Sequence, residues 1–456
     1  MNIRDRIDAS PMSPFQWVVV GVCTFLNALD GFDVLAMAFT ANRVSTEFGL
    51  SGSQLGVLLS AGLLGMAAGS LFLAPFADVF GRRPMLLFTT GLAAAGMFLS
   101  STAHSVTELG LWRVVTGLGV GGILACTNVI TSEYSNKRWR GMAVSIYTAG
   151  YGVGATLGGM AAVSLQASYG WRAVFVFGGI TTTVAFLLLL AVVPESVDFL
   201  VTKRPPRAEK RLAALVLKLR LGADTVLLPE VDGRTPVRGV KGQQLTALFA
   251  PSNRRATTLI WVAFFATMFG FYFVNSWTPK LLVTAGMSES QGVIGGLMLT
   301  LGGTFGSLLF GVLTTKWQAR KVLLVFTVLS SITMVVFISA VGILALAFAM
   351  GIVVGMLING CIAGLYTLAP ASYAPQTRGT GVGWAIGIGR FGAILAPLAA
   401  GSLLDASWTP GQLYLGVGVV VLVAAIAVGF MRSPKGIIPG VSADMHAHET
   451  TGSHGQ

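Results

Sequence analysis

Charged residues are scarce in this sequence: Asp, Glu, Lys and Arg together account for 11% of its 456 residues. Hydrophobic residues account for 54%, and the mean hydropathy is +0.75. A soluble protein of this length needs far more polar surface to remain in water. The composition therefore excludes an ordinary soluble domain and predicts that the lipid bilayer is the solvent for most of the chain.

Cysteine and histidine are also rare. The three cysteines, Cys23, Cys126 and Cys361, lie in apolar runs, and their odd number argues against a disulfide framework. Of the four histidines, His104 lies in a short loop and the others lie in the C-terminal tail. No metal-ligand cluster and no nucleophile with a nearby base stands out in the apolar runs, so we expect no metal, no cofactor and no enzymatic activity.

Long apolar runs repeat along the whole chain. Each is close to or longer than the ~20 residues that a helix needs to cross a bilayer. The runs are continuous rather than alternating, which favours helices over the strands of a barrel. We predict an all-α membrane protein with twelve transmembrane helices, at 15–41, 52–77, 84–102, 109–132, 141–164, 172–193, 256–279, 290–314, 321–340, 342–368, 379–402 and 411–431.

The predicted helices divide into two halves. The longest polar segment, 194–255, separates an N-terminal six-helix half, 1–193, from a C-terminal six-helix half, 256–431. This segment is rich in Lys and Arg, and its stretch 207–220 suits either an amphipathic helix against anionic headgroups or a plain solvated linker. Residues 432–456 form a polar cytoplasmic tail that we expect to be disordered.

Short stretches recur between the two halves at an offset of 237 or 238 residues. The polar sequence that begins at Asp78 corresponds to the one at Thr315, and Arg140-Gly141 corresponds to Arg378-Gly379. Two pseudo-symmetric halves in parallel orientation are a transporter architecture, in which the binding site lies between the halves near the bilayer midplane.

The distribution of basic residues predicts the orientation of the chain. With the N-terminus inside, 25 of the 30 Lys and Arg residues fall on the cytoplasmic side. The outer loops hold only Arg43, Arg172 and Lys280. The positive-inside rule therefore predicts that both termini are cytoplasmic. It also explains the net charge of +12 through the membrane, so we expect no nucleic-acid partner.

Four ionisable residues lie well inside the predicted helices: Asp30, Asp33, Arg113 and Arg390. Each buried charge costs about 2.5–3.5 kcal/mol on insertion scales, so such residues usually have a function. Asp30 and Asp33 are three residues apart on one helical face. Two carboxylates in one cavity cannot both ionise cheaply, which favours proton coupling. The alternative is a purely structural ion pair with Arg113.

Arg390 lies about eleven residues into the eleventh predicted helix, near the midplane, and is the best candidate for binding a substrate carboxylate. Gly152 stands at the matching position of the first half, so this charge is not part of the repeat. The seventh predicted helix is rich in aromatic residues, and Tyr272 and Asn275 within it, together with Trp384, are further substrate-site candidates.

These residues resemble the major facilitator superfamily. Asp78-x-x-Gly81-Arg82-Arg83 resembles its loop motif between the second and third helices, and Arg113-x-x-x-Gly117-x-Gly119 resembles its fourth-helix motif. Asp30-Gly31-Phe32-Asp33 resembles the first-helix signature of the aromatic acid:proton symporter family. The stretches Arg378–Gly392 and Pro194-Glu195-Ser196 are also similar to that family, although sugar porters share the second.

The resemblance implies proton-coupled uptake of a benzoate-like anion across the inner membrane by alternating access. Asp30 and Asp33 would couple to the proton, and Arg113 would contribute to substrate binding beside them. A conformational latch would comprise Asp78, which could cap the N-terminus of the eleventh helix across the halves, with its neighbours and the next loop: Gly81, Arg82, Arg83, Glu133 and Arg140.

The expected partners are a small aromatic carboxylate, a proton and the lipid bilayer, and the expected oligomeric state is a monomer. Other readings remain open, namely transport of another small organic acid or of a sugar, and drug export. A membrane sensor is a further alternative of a different class. The ring substituents of an aromatic substrate do not follow from the sequence.

Overall fold

The computed structural model describes residues 3–221, 248–250, 253–373 and 375–431. Most of the predicted linker beyond Leu221 and the predicted C-terminal tail lie outside the described residues. The secondary-structure elements of the described residues are helices, which confirms the all-α prediction. Their bounds follow in chain order for each half.

The N-terminal half begins with a short helix and ends with two helices of the linker. These are α1 (Ile3–Ala9), α2 (Pro14–Phe48), α3 (Gly52–Ala68), α4 (Ala74–Phe80), α5 (Arg82–Ser101), α6 (Val106–Glu133), α7 (Arg140–Tyr169), α8 (Arg172–Val192), α9 (Val197–Lys203) and α10 (Ala208–Leu219). The C-terminal half comprises α11 (Arg254–Thr284), α12 (Glu289–Thr314), α13 (Ala319–Ser339), α14 (Leu344–Ala371), α15 (Pro375–Asp405) and α16 (Pro410–Phe430).

Eleven candidate membrane spans among the described residues are long and apolar enough to cross a bilayer, and they coincide with eleven predicted spans. The second of them, Gly52–Phe80, combines α3 and α4 with a π-helical segment between them. Pro75 lies in the first turn of α4 and has no N–H, so the regular α-helical bonding is interrupted there. The fifth predicted span lies within α7, which has 30 residues but is not among the eleven. The number twelve therefore stays a prediction.

Capping boxes fix where four of the long helices begin. In each, a Ser or Thr side chain accepts a hydrogen bond from the backbone of a Gln three residues later, and the Gln side chain bonds back. The pairs are Ser13 with Gln16, Ser51 with Gln54, Ser288 with Gln291, and Thr409 with Gln412. Such boxes satisfy backbone N–H groups that would otherwise be costly near lipid.

Two short amphipathic helices dock on one end of the N-terminal half. In α1, Ile3 and Ile7 are each only 1% exposed. In the linker helix α10, Leu212, Leu215 and Leu219 enter the same hydrophobic cluster. The structure thus contains a helix within 207–220, as the amphipathic-helix interpretation of that stretch required. Helix α1 was not predicted.

Glycines allow the helices of each half to cross closely. The clearest case is the crossing of α12 and α14, where a Cβ on Gly355 would lie 1.8 Å from the carbonyl oxygen of Leu299. A Cβ on Gly302 would lie 1.9 Å from the carbonyl oxygen of Ile352, in the reciprocal position. Small residues at such crossings are the main route to tight helix packing in lipid.

We expect Gly355→Ala to lower the stability of the protein by about 1–3 kcal/mol, because the new methyl group collides with backbone rather than with a movable side chain. The matched control is Gly311→Ala in α12, where nothing lies within 4 Å of the new atom. There, helix propensity favours alanine by about 1 kcal/mol. Melting temperatures in detergent test this, and equal melting temperatures for the two variants would contradict the close crossing.

Candidate substrate and proton site

Asp33 of α2 and Arg113 of α6 form a buried ion pair inside the N-terminal half. Arg113 Nη1 lies 2.7 Å from Asp33 Oδ1, and Nη2 donates to the Asp33 carbonyl oxygen at 2.9 Å. The two residues are 4% and 2% exposed, and the guanidinium lies 5.7 Å from the centroid of the Phe175 ring. Because two nitrogens of Arg113 donate to Asp33, they hold α6 against α2, and the two opposite charges neutralise each other.

Asp30, one turn before Asp33, has no comparable partner. It is 5% exposed, and its Oδ1 atom is buried with no hydrogen-bond partner among the described residues. The charges that act on it are those of Asp33 and of Arg390. Taking a carboxylate charge out of water is costly unless a cation or a proton neutralises it. Of the two first-helix acids, Asp30 is therefore the one without an ion-pair partner among the described residues.

Arg390 of α15 belongs to the opposite half. Its charge acts on Asp30 and also on the hydroxyl groups of Tyr272 and Tyr366. Tyr151 of α7 in turn interacts with Tyr272 and Asp30. The site thus contains a carboxyl group from the N-terminal half, a guanidinium group from the C-terminal half, and three tyrosines. Tyr151 comes from the N-terminal half, whereas Tyr272 and Tyr366 come from the C-terminal half.

The close approach of α7 to α2 positions the acid. A Cβ on Gly31 would lie 2.1 Å from the Tyr151 carbonyl oxygen, so only glycine fits beside Asp30 here. One turn earlier, the Asn27 side chain donates to the Tyr147 carbonyl oxygen at 2.7 Å. These contacts hold Asp30 and Tyr151 next to each other on facing helices.

The predicted aromatic and amide residues have different locations. Tyr272 lies in the cluster around Arg390. The Asn275 side chain donates to the Phe271 carbonyl oxygen of its own helix at 2.8 Å, which uses one of its two amide N–H groups. Trp384 stacks on Trp261 at a centroid distance of 5.9 Å. It lies six residues before Arg390 in α15, about 9 Å along the helix axis.

Tyr366 was not predicted from the sequence. It is a tyrosine in the mostly apolar tenth predicted span, and a polar tip in such a run is the signal that could have found it. Its ring packs edge-on against Phe264 at 5.7 Å between centroids. Tyr151 carried only a weak aromatic signal in the sequence.

The predicted latch residues separate into two groups. Arg82 forms an ion pair with Glu133 and donates to the Ser196 hydroxyl group at 2.9 Å, and that hydroxyl donates to Glu133 at 2.6 Å. Asp78, in contrast, is exposed, and within the described part of the chain no hydrogen bond or ion pair engages it. Its cross-half capping role therefore stays a prediction.

Glu195 organises the loop motif and was not among the predicted site residues. Its Oε1 atom accepts the backbone N–H groups of Arg82, Arg83 and Ser196 at 2.8, 3.1 and 2.9 Å. Gly81 has φ of 105°, and a Cβ there would lie 2.4 Å from the Glu195 carboxylate. The glycine of the motif is therefore required both by its backbone conformation and by the carboxylate beside it.

The two remaining basic residues of the latch make other contacts. Arg140 pairs with Asp8 of α1, and its Nε donates to the Ser132 carbonyl oxygen at 3.2 Å. Arg83 donates to the Leu190 carbonyl oxygen at 2.7 Å. All of these bonds lie within the N-terminal half and its flanking helices, so they make that end rigid rather than joining the halves.

Polar bonds between the halves occur at the opposite end, which the charge distribution predicts to face outward. Asp405, at the end of α15, accepts the backbone N–H groups of Gly52 and Ser53 at 2.6 and 2.8 Å, at the N-terminus of α3. A second bridge joins Glu289 to Arg43 at 2.9 Å and to Asn42 at 2.8 Å. The structure is therefore closed at this end.

The fold and site define a multi-pass membrane transporter: two helical halves, closed at one end, with the buried acids Asp30 and Asp33 in one half and the half-buried Arg390 in the other. The model of the Major Facilitator Superfamily matches residues 20–306. The chain belongs to this superfamily. Its family and relatives are transporters, which confirms the prediction that the chain is not an enzyme.

The curated relatives are named as aromatic acid transporters, in agreement with the predicted family. The chain is 29% identical to the 4-hydroxybenzoate transporter PcaK of Pseudomonas putida, over 94% of this chain and 95% of the relative. It is 31% identical to the gallate transporter of Pseudomonas putida, over 94% of each chain. Among solved structures, a partially occluded inward-open xylose transporter XylE from E. coli aligns with a TM-score of 0.69 at 17% identity, covering 93% of this chain and 99% of that one.

We expect Asp405→Asn to loosen the closed end, because the neutral amide loses the charge that stabilises the N-terminus of α3. Spin labels are placed at His104 and Ala285, which are exposed at this end, one in each half. Double electron–electron resonance then reports the opening as a longer distance between the two labels. The matched control is Glu47→Gln, whose carboxylate bonds to Trp171 and Arg172 within one half. A distance that lengthens equally in both variants, or in neither, would contradict closure by Asp405.

Proposed function

We propose that this protein takes up an aromatic carboxylate together with a proton by alternating access. The observation that carries the proposal is the buried Asp30 Oδ1 atom, which has no hydrogen-bond partner among the described residues, while the opposite half contributes Arg390, whose charge acts on Asp30. A cation on one half and an exchangeable acid on the other provide what anion–proton symport needs. The names of the relatives, which are transporters of 4-hydroxybenzoate and gallate, support an aromatic acid as the anion.

Arg390 binds the substrate carboxylate in this mechanism. A guanidinium group holds a carboxylate through two parallel hydrogen bonds, which fixes both the position and the plane of the ligand. Tyr272, Tyr366 and Tyr151 then offer ring faces to the aromatic ring and hydroxyl groups to its substituents. A hydroxylated benzoate suits this mixture of one cation and three phenols better than an aliphatic acid or a sugar does.

The substrate and Asp30 compete for the same guanidinium group, and this competition couples the anion to the proton. When the substrate carboxylate takes Arg390, Asp30 loses its counter-charge and becomes costly to keep ionised in a buried site. A proton then neutralises Asp30. Release of the substrate on the other side frees Arg390, which draws the proton off again by restoring the charge pair.

Coupling of this kind also fits the energetics of uptake. Moving one anion inward against the membrane potential costs about 2.3 kcal/mol per 100 mV, and one accompanying proton cancels that charge. We place the protein in the cytoplasmic membrane, with both termini in the cytoplasm, and propose that it works as a monomer. The closed end with Asp405 then faces outward, and the opposite end opens to the cytoplasm.

We expect Arg390→Gln to reduce uptake of radiolabelled 4-hydroxybenzoate into proteoliposomes by about 10–100-fold, the cost of losing charge-assisted hydrogen bonds. Arg390→Lys retains the charge but not the fork, so its loss should be smaller and fall mainly on KM. Arg378→Gln is the matched control, because Arg378 is exposed on the same helix. Normal uptake by folded Arg390→Gln would rule out the assignment of the binding residue.

We expect Asp30→Asn to abolish accumulation driven by an inward proton gradient while exchange of labelled for unlabelled substrate continues. Exchange needs binding and alternating access but no net proton movement, so it isolates the coupling step. The variant should fold normally, because Asp30 has a buried oxygen atom without a hydrogen-bond partner among the described residues.

The comparison variant for this experiment is Asp33→Asn. It leaves the buried Arg113 charge without its carboxylate, and breaking a buried pair in this way costs about 3–5 kcal/mol. Its melting temperature should therefore fall well below that of Asp30→Asn. Gradient-driven accumulation by Asp30→Asn at the wild-type level would disprove its role as the proton carrier.

A further inference from the structure

A second cavity lies apart from the translocation site, at the end of the N-terminal half opposite Asp405. It has a volume of 390 Å³ and lies between the start of α5, the end of α8 and the linker helix α10. Its charged lining residues are Arg83, Glu195, Arg211 and Lys218, and the remaining wall is mostly apolar. The cavity thus combines an excess of positive charge with a hydrophobic surface.

The negative charge in the wall is already satisfied. Glu195 Oε1 accepts three backbone N–H groups, as described above. The cations are less engaged. Arg83 uses one terminal nitrogen on the Leu190 carbonyl oxygen, and its Nε atom is buried with no acceptor among the described residues. Lys218 lies over the Phe15 ring at 5.3 Å, and Arg211 has no acidic partner within the described residues.

The position of Arg211 and Lys218 on α10 directs both toward one ligand. They are seven residues apart, two helical turns, and therefore on the same face of the helix. The neighbouring face of α10, about a quarter turn around the helix, is buried through Leu212 and Leu219 against the N-terminal half. The two basic side chains are exposed, so they are free to meet an anion without disturbing the packing.

The surroundings of the cavity indicate where the anion comes from. Leu187 and Leu190 of α8 and Phe88 of α5 lead away from it along the outer surface of the half, with 56%, 48% and 56% exposure. These large apolar side chains belong to helices that cross the bilayer, so their exposed surface is lipid-facing. A free phosphate ion would use the cations and leave this apolar path unused.

We propose that the cavity binds an acidic phospholipid, with its phosphate group among Arg83, Arg211 and Lys218 and its acyl chains along α5 and α8. The bound lipid joins α10 to the two transmembrane helices whose ends carry the Arg82–Glu195 network. The linker between the halves is thereby anchored to the membrane surface. This site acts independently of the transported substrate.

Native mass spectrometry of the full-length protein, with added phosphatidylglycerol, tests the site. We expect Arg211→Gln/Lys218→Gln to bind this lipid more weakly, on the order of tenfold or more, through the loss of two cations. The control is Lys203→Gln/Lys210→Gln, which removes the same charge from exposed residues that do not line the cavity. Melting temperatures verify that both variants are folded.

Two further comparisons use the wild-type protein alone. Phosphatidylcholine should bind much more weakly than phosphatidylglycerol, and millimolar inorganic phosphate should not displace the bound lipid. Equal binding by the two double variants, or equal binding of the two lipids, would overturn the proposal. Displacement by phosphate would identify the cavity as a site for the free anion and would overturn the lipid assignment.

Discussion

The buried pair between Asp33 and Arg113 is the interaction on which the charge balance of this protein depends. Well inside the predicted spans, the N-terminal half contributes two acids and one base, and this pair neutralises one acid. Asp30 is left as the acid of this half without an ion-pair partner among the described residues, and Arg390 of the C-terminal half is the complementary charge that acts on it. Each half is therefore unbalanced alone, and the interface between them is where the balance is made.

This arrangement gives the substrate a direct route to the conformational equilibrium. An anion shifts an equilibrium only by its difference in affinity for the two states. A carboxylate that replaces Asp30 on Arg390 changes the attraction between the halves, and protonation of Asp30 removes the charge that would otherwise remain. In our proposal the anion and the proton thus alter one electrostatic interaction rather than two separate sites.

Much of this architecture could be predicted from the sequence, because lipid imposes strong rules on composition. Eleven of the predicted spans coincide with long apolar helices, and the charges at Asp33 and Arg113 were found as rare ionisable residues in apolar runs. Contacts between distant segments could not be predicted in the same way. Nothing local indicates that Asp8 meets Arg140, or that Glu195 accepts the N–H groups of the loop after Gly81.

Tyr366 shows the same limit inside the membrane. Its sequence neighbourhood is mostly apolar, and its relevance arises only because α14 places it within reach of the Arg390 charge. Trp384 shows the opposite case. It was predicted as a substrate-site residue, but its ring stacks on Trp261 nearer the start of α15 than Arg390. Helical periodicity assigns a face to a residue, but the crossing of two helices decides what that face meets.

The same pair of helices closes one end in the structure and would close the other in the proposed latch. In the structure, the carboxylate of Asp405 at the C-terminus of α15 caps the N-terminus of α3. Asp78 follows α3 in α4, and the proposed latch places its carboxylate at the N-terminus of α15. Carboxylates are stabilised at helix N-termini by the free N–H groups and the helix dipole. In this scheme each end would close through a carboxylate at a helix N-terminus. At one end α15 supplies the carboxylate, and at the other end it supplies the N-terminus. Asp78 is exposed while Asp405 is engaged, which is the arrangement that the proposed latch requires if the two caps are to alternate.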